Sequence, residues 1–255
     1  MGGCSYLAIA LKGGQTVARP LYDGLRRLQH RGQETAGILT FDGTNVYYRG
    51  GPGMVHEVFG RGDVETRRKL NKLKGAWGLA STRYRTSGGD KSAPPFKTDD
   101  PCLVAAAFNG NIINCEELWR ELKKAGQYRQ SDCDLEPLMK TFGFELSNVM
   151  APTEPLRNHH IYDAAASMME KVEGSYSMVL LVAKGDRERL VAIRDPSANR
   201  PMVVGRSTRK DRPGYIIASE DCLFDDLDFE AIRFPDGGEV NIVKWNLEHQ
   251  SRRVI

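Results

Sequence analysis

Residues Ser177–Ala183, with the sequence Ser-Met-Val-Leu-Leu-Val-Ala, form a continuous apolar stretch in the last third of this 255-residue chain. A short apolar run of this kind is typical of a strand buried in a sheet. From Tyr176 onward the pattern predicts only strands and turns, down to a strand at Glu239–Lys244. Because the predicted helices all come earlier, the order favours an α+β domain with antiparallel sheets covered by helices, and not a parallel βαβ array.

The first two thirds of the chain mix strands with helices. Apolar residues at helical spacing predict helices over about 15–30, 61–73, 116–125 and 135–146, and another that begins at Ile161. Strands are predicted over 5–11, 36–41, 45–48, 77–82 and 102–108, with a loop over 87–101. Asp42-Gly43-Thr44 predicts a hairpin turn, because glycine accepts a positive φ. Pro137 is compatible with the fourth helix only in its first turn.

Composition and charge narrow the classes of function. The formal net charge is +3 and no aromatic residues interleave the basic ones at 67–74, so we expect no nucleic-acid partner. Five scattered cysteines with no CxxC pair argue against a zinc or redox site and favour a reduced, cytoplasmic protein. We expect no metal and no cofactor. No apolar run reaches the roughly 18 residues of a membrane span, and no signal peptide is evident.

Cys4 and Arg31 each allow two interpretations. Cys4 precedes the first buried strand, where a thiol is either a small apolar side chain or a nucleophile. Arg31 lies in Leu28-Gln29-His30-Arg31-Gly32-Gln33-Glu34-Thr35-Ala36-Gly37, at the end of the first predicted helix. It either caps the carbonyls of that helix or lies near an active centre.

Polar residues also follow two predicted strands. Arg83 ends one strand, where it is either an ordinary surface residue or a clamp for a carboxylate. Asn109-Gly110 follows the other and is either a plain turn or a pair of donors for an oxyanion, the Asn109 amide and the Gly110 backbone N–H.

An acidic segment precedes the fourth predicted helix. In Ser131-Asp132-Cys133-Asp134, the residues Ser131, Asp132 and Asp134 are each candidates for the helix N-cap. The functional alternative is that Asp132 accepts from a substrate ammonium.

The order of these motifs along the chain indicates a protein family more specifically than any single motif does. After the cysteine at position 4 come LQHRGQETAG, TRYRTSG, FNGN, SDCDLE, GSYSMVLL, RDPSANRP and IIASEDCLFD. This series resembles the glutaminase domain of amidophosphoribosyltransferases, which are class II glutamine amidotransferases of the N-terminal nucleophile (Ntn) hydrolase type. The resemblance runs from about Cys4 to Val243. It implies a single domain over residues 1–255, with the four-layer αββα sandwich of Ntn hydrolases and two antiparallel sheets.

The resemblance also implies a reaction and its residues. Cys4 is the expected nucleophile, with its own α-amine as the base, and Asn109 and Gly110 are expected to stabilise the oxyanion. The remaining residues implied by the resemblance are Arg83 for the glutamine carboxylate, Thr86 beside it, Asp132 for the ammonium, and Arg31 to order the loops around the nucleophile. No cofactor or metal is implied.

Several positions depart from the family pattern. Met1-Gly2-Gly3 precedes Cys4, whereas the family cysteine is the first residue of the mature chain, so residues 1–3 are expected to be a propeptide. Ser5 and Ala8 stand where the family has glycine, and Phe108 stands where it has histidine.

The expected function is glutamine hydrolysis, with ammonia supplied to a partner. Because no phosphoribosyltransferase motif follows in this sequence, we expect a separate synthase subunit, in purine biosynthesis by resemblance. The alternative is a catalytically silent Ntn-fold subunit that binds glutamine or that synthase. Whether the protein forms a homo-oligomer is left open.

Overall fold

The computed structural model describes residues 4–84, 92–185 and 187–255, and within these ranges thirteen strands form two antiparallel sheets. The first sheet has seven strands, in the spatial order β11 (Phe229–Arg233), β9 (Val203–Ser207), β10 (Gly214–Ala218), β1 (Ser5–Leu11), β4 (Trp77–Arg83), β2 (Thr35–Phe41) and β3 (Val46–Pro52). The second has six, in the order β13 (His249–Arg253), β12 (Glu239–Lys244), β8 (Arg187–Arg194), β7 (Gly174–Lys184), β6 (Leu103–Ile112) and β5 (Phe96–Thr98).

Helices cover the outer face of each sheet. They are α1 (Ala18–Arg27), α2 (Val55–Phe59), α3 (Asp63–Leu70), α4 (Cys115–Lys124), α5 (Leu135–Val149) and α6 (Asn158–Lys171). One apolar core joins α1, α2 and α3 to the first sheet and to the inner face of the second, and another joins α4, α5 and α6 to the outer face of the second sheet. The expected α+β, four-layer αββα architecture with two antiparallel sheets is therefore confirmed. Among the helices of the described ranges, none combines the length and the apolar character of a bilayer span.

The alternation of side chains along β6 shows which residues face the other sheet. Ala105 and Ala107 belong to the core between the sheets, whereas Ala106 and Phe108 belong to the core beneath the helices. Because successive side chains of a strand point to opposite faces, the next residue, Asn109, projects into the space between the sheets.

Most predicted elements are present, with shifted ends. The hairpin at Asp42 is confirmed: Gly43 has φ +99°, and the Asp42 carboxylate accepts the N–H of Thr44 at 2.9 Å. Pro137 lies in the first turn of α5, where backbone N–H groups make no hydrogen bond within the helix, so the proline costs none. The first predicted helix is shorter and ends in a 3-10 turn over Leu28–Arg31.

Three short elements were not predicted, and one of them is β13, which pairs with β12. The segment 87–101 was expected to be a loop, but Phe96–Thr98 pairs with β6 as the edge strand β5. Helix α2 has only five residues, too few to show a helical period.

The two positions that replace family glycines fit into the first sheet. The Ser5 hydroxyl points toward the helix layer and lies 2.6 Å from the hydroxyl of Thr82 on the paired strand β4. Ala8 is fully buried in the same strand. Both side chains are therefore accommodated by packing within the sheet.

Candidate active site

Cys4 directly precedes β1, and its side chain lies on the face of the first sheet that looks toward the second sheet. The Tyr6 hydroxyl, on the same face, donates to the Pro201 carbonyl at 3.3 Å. The Ser177 hydroxyl of β7 donates to that carbonyl at 3.1 Å. Since residues two apart on a strand share a face, Cys4 also projects between the sheets.

Arg83 reaches the same space from the neighbouring strand β4. Its predecessor Thr82 faces the helix layer, where it meets Ser5, so the Arg83 side chain faces inward, where it is 4% exposed. Gly32 makes this arrangement possible, because a Cβ at that position would lie 2.8 Å from the Arg83 backbone nitrogen. The turn that carries Arg31 can therefore pack directly against the end of β4.

Asn109 and Gly110 present two donors at the end of β6. The Asn109 side chain is 1% exposed, and its Nδ2 amide makes no hydrogen bond within the described residues. Gly110 lies opposite Tyr176, whose N–H and carbonyl both bond to Asp195, away from β6. Gly110 therefore belongs to a non-hydrogen-bonded pair, and its N–H points to the free edge of β6. This placement supplies the two donors that an oxyanion site requires.

The Cys4 thiol lies in a nearly closed environment. Its Sγ lies 3.8 Å from the Tyr84 carbonyl. Burial raises the pKa of Cys4, the Asp134 charge raises it further, and the charges of Arg83 and Arg200 oppose these effects. The resting residue is consequently a neutral thiol at neutral pH, which needs a base before it can act as a nucleophile.

Arg31 lies beside Cys4. Its Nε donates to the Cys4 carbonyl at 3.3 Å, and its Nη1 pairs with the Glu220 carboxylate. Of the two interpretations from sequence, the geometry matches the one that puts Arg31 near the cysteine. Glu220, which the sequence did not single out, lies in the segment IIASEDCLFD that follows β10.

The structure places Asp132 and Asp134 in different surroundings. Asp132, expected to face the substrate, has a side chain that is 57% exposed and pairs with Arg129 at 3.0 Å. Asp134 instead lies near Cys4 and Arg83, and its Oδ2 accepts the Ile112 N–H at 3.3 Å. Burial raises the pKa of the Asp134 carboxyl, while the Ile112 N–H and the Arg83 charge act in the opposite direction.

The sequence could not separate these two aspartates, because both precede α5. Asp134 occupies the N-cap position of α5, yet its side chain makes no capping bond. It turns to β6, a contact between segments 22 residues apart. Thr86, the other expected substrate contact, and Met1-Gly2-Gly3 lie outside the described residues.

Separately from these residues, one cluster in the described part of the chain has the composition of a metal site. Ligand atoms of Glu154, His159 and His160 lie within 4.8 Å of one another. However, the His160 Nδ1 accepts the Arg157 N–H at 3.1 Å, so its Nε2 carries the proton of the neutral ring and faces Glu154 at 3.3 Å. A metal requires that nitrogen unprotonated, and we interpret the cluster as a cap at the start of α6.

Comparison with known families agrees with this geometry. The family model described as a glutamine amidotransferase domain matches residues 81–225, which include Arg83, Asn109, Gly110 and both aspartates. The chain belongs to the glutamine amidotransferase family. It is 34% identical to the amidophosphoribosyltransferase of Pseudomonas aeruginosa over 236 residues, which cover 91% of this chain and 44% of that protein.

Solved structures show the same relationship. An allosteric regulatory enzyme of purine biosynthesis matches 99% of this glutamine amidotransferase chain with a TM-score of 0.78 and 26% identity. The glutamine phosphoribosylpyrophosphate amidotransferase of Bacillus subtilis matches with a TM-score of 0.76 and 27% identity. The chain covers 49% of each of these structures. The chain thus spans slightly less than half the length of each of these relatives.

Proposed function

We propose that this domain hydrolyses glutamine to glutamate and ammonia through a thioester on Cys4. The observation that carries the proposal is the convergence of Cys4, Arg83 and Asn109 in the space between the sheets, where the Asn109 amide has no partner among the described residues. Cys4 directly precedes β1, Arg83 ends β4 and Asn109 lies in β6, so packing of the two sheets brings the three side chains together.

The reaction begins with activation of the thiol. Cleavage of the Gly3–Cys4 bond frees an α-amine, whose ordinary pKa is about 8, so part of it is neutral at cellular pH and can accept a proton. The amine takes the proton of the buried Cys4 thiol, and the thiolate attacks the side-chain amide carbon of glutamine. The negative charge that develops on the amide oxygen is stabilised by the Nδ2 of Asn109 and the N–H of Gly110.

Collapse of this intermediate breaks the carbon–nitrogen bond. The ammonium formed from the Cys4 α-amine returns its proton to the departing nitrogen, and ammonia leaves. Water then attacks the γ-glutamyl thioester, with the amine again as base, and glutamate and the free thiol are regenerated. The carbon chain of the substrate is held at its far end, where Arg83 pairs with the carboxylate and Asp134 with the ammonium.

The ammonia acceptor is proposed to be a synthase domain or subunit of purine biosynthesis. The support is that the chain spans about 44% of the length of the amidophosphoribosyltransferases that it resembles. Ammonia that escapes into water at neutral pH is protonated and loses its nucleophilicity, so direct transfer to a docked acceptor preserves the product.

The test compares the chain that begins at Cys4 with the chain that begins at Met1. Glutamate formation and labelling of Cys4 by a glutamine-like diazoketone are measured for both, with Cys4→Ala as the control. We expect turnover and labelling only when Cys4 is the first residue. If the processed chain binds glutamine by calorimetry but gives neither turnover nor labelling, the domain is instead a silent glutamine-binding subunit.

A further inference from the structure

We propose that Glu220 is a positioning residue for Cys4, which it holds in place through Arg31. The inference deepens the proposed function and rests on it. Glu220 follows β10, and it is not one of the groups in the proposed reaction.

Strand pairing brings Glu220 to the nucleophile. Strand β10 pairs with β1 in the register Leu7 to Ala218, and the pairing continues past its end, where the Ser219 N–H donates to the Tyr6 carbonyl at 3.1 Å. Glu220 is the next residue, so it lies beside the first residues of β1. Its backbone position is therefore fixed by the sheet itself.

The two carboxylate oxygens of Glu220 have different partners. Oε1 accepts from the Nη1 of Arg31, and Oε2 lies 3.1 Å from the Nε2 of His30. His30 is anchored in turn, because its Nδ1 lies 3.0 Å from the Arg27 carbonyl at the end of α1. Glu220 thus joins the end of β10 to the 3-10 turn that carries both basic residues.

Arg31 transmits this restraint to the nucleophile. Its Nε donates to the carbonyl oxygen of Cys4 at 3.3 Å, which fixes the peptide unit that follows the Cys4 Cα. The thiol and the proposed α-amine base are both attached to that Cα, so rotation of the peptide changes how the two groups are oriented. A guanidinium that loses its carboxylate partner is free to leave the carbonyl.

This arrangement predicts an effect on the chemical step and not on substrate binding. Glu220 contacts the nucleophile's peptide through Arg31, whereas the proposed carboxylate and ammonium contacts belong to Arg83 and Asp134. Loss of a group that orients the reacting atoms lowers kcat, because the alignment that the bound substrate requires is less often reached.

The experiment uses the full chain processed to begin at Cys4. The kcat and KM for glutamine and the rate of Cys4 alkylation by iodoacetamide are measured for Glu220→Gln, Glu220→Asp and Arg31→Lys, and for the double variant Glu220→Gln with Arg31→Lys. Glu230→Gln is the matched control, since Glu230 is exposed on β11 and forms an ion pair with Arg206 at 3.7 Å.

We expect Glu220→Gln to lower kcat and the alkylation rate about tenfold, with KM changed less than twofold, and Glu220→Asp to recover part of the loss. The double variant should be no slower than Arg31→Lys alone. A kcat equal to that of the parent, a rise in KM alone, or multiplicative losses in the double variant would overturn the inference. If the processed parent forms no glutamate, the proposed function fails, and the alkylation rates alone then decide whether Glu220 positions Cys4.

Discussion

The Oδ2 atom of Asp134 accepts the backbone N–H of Ile112 at 3.3 Å, across a gap of 22 residues in sequence. The bond ties the start of α5 to the free edge of β6, three residues after Asn109 and two after Gly110. It leaves a carboxylate at the same edge to which the Gly110 N–H points, near the charge of Arg83. Under the proposed function, the two charged groups would face the ammonium and the carboxylate of a glutamine whose side-chain amide lies near Cys4.

Asp134 and Asp132 form a natural matched pair of variants. Asp134→Asn should raise the KM for glutamine about tenfold or more, because a hydrogen bond to a charged group contributes about 1.5–3 kcal/mol. Asp132→Asn should leave KM within twofold, since its exposed side chain pairs with Arg129 at the surface. Steady-state kinetics of the two variants decide between them, and the reverse ranking would restore Asp132 as the ammonium ligand.

Arg83→Met tests the carboxylate clamp. Methionine preserves much of the buried volume but removes the charge, so KM should rise roughly 10- to 100-fold with a smaller change in kcat. Arg206→Met on β9, whose side chain is 59% exposed, provides the control. An unchanged KM in Arg83→Met, with glutamine still hydrolysed, would remove Arg83 from the substrate site.

Asn109→Ala tests the oxyanion site. If the Asn109 Nδ2 meets charge only in the transition state, kcat should fall about 100- to 1000-fold while KM stays nearly constant. Circular dichroism and the thermal midpoint Tm show whether the variant is folded. A proportional increase in KM with kcat retained would mean that the amide binds the ground state of glutamine.

The pH dependence of Cys4 alkylation tests the electrostatics of the thiol in the unprocessed chain. Because burial raises its pKa above the ordinary 9.0, the thiolate fraction at neutral pH is smaller than in the unfolded chain, and reactivity should still be rising above pH 9. The same shift stabilises the fold below the unfolded pKa, and this contribution is lost as pH rises through the folded pKa.

Two variants should move that alkylation profile in opposite directions. Arg83→Met removes a charge that lowers the pKa of Cys4, and Asp134→Asn removes one that raises it. The midpoint should therefore rise in the first variant and fall in the second. Shifts of the same sign in both would mean that changes in solvent access, and not charge, control the thiol.

The buried hydroxyl pair of Ser5 and Thr82 predicts an effect on stability. Ser5→Ala leaves the Thr82 hydroxyl, which is fully buried, without its partner at 2.6 Å, and should lower the free energy of unfolding by about 1–3 kcal/mol. Urea unfolding of Ser5→Ala, Thr82→Val and the double variant measures the coupling. The double variant should lose less than the sum of the two singles, and strict additivity would show that the hydroxyls are independent.

The sequence was sufficient for much of the fold because periodicity is local. The apolar run Ser177–Ala183 indicates a strand buried on both faces, and the helical spacing over α6 specifies which face of that helix is buried. Elements of three to five residues, β5, α2 and β13, were missed because a period cannot be recognised over so few positions. Their existence depends on neighbours such as the paired edge of β6.

The site was only partly predictable, as its aspartates show. Residue type and motif order pointed to Cys4, Arg83 and Asn109, and the alternation along β1, β4 and β6 gives each of them a place between the sheets. Asp132 was expected in the site and Asp134 was not, because the direction of a side chain just before a helix depends on what packs beside it. Here the Ile112 N–H provides a partner for Asp134, and Arg129 provides one for Asp132.

By itself the sequence determined the classes of element, the α+β order and the residue types that chemistry needs, since propensity and hydrophobic period act between near neighbours. Only the tertiary structure decided that the side chains of Arg83 and Asp134 lie close together and that Arg31 binds the Cys4 carbonyl. These contacts depend on strand register and sheet packing, such as the pairing of β10 with β1 that places Glu220 near the start of β1. Contacts between residues 27 to 190 positions apart leave no local trace in the chain.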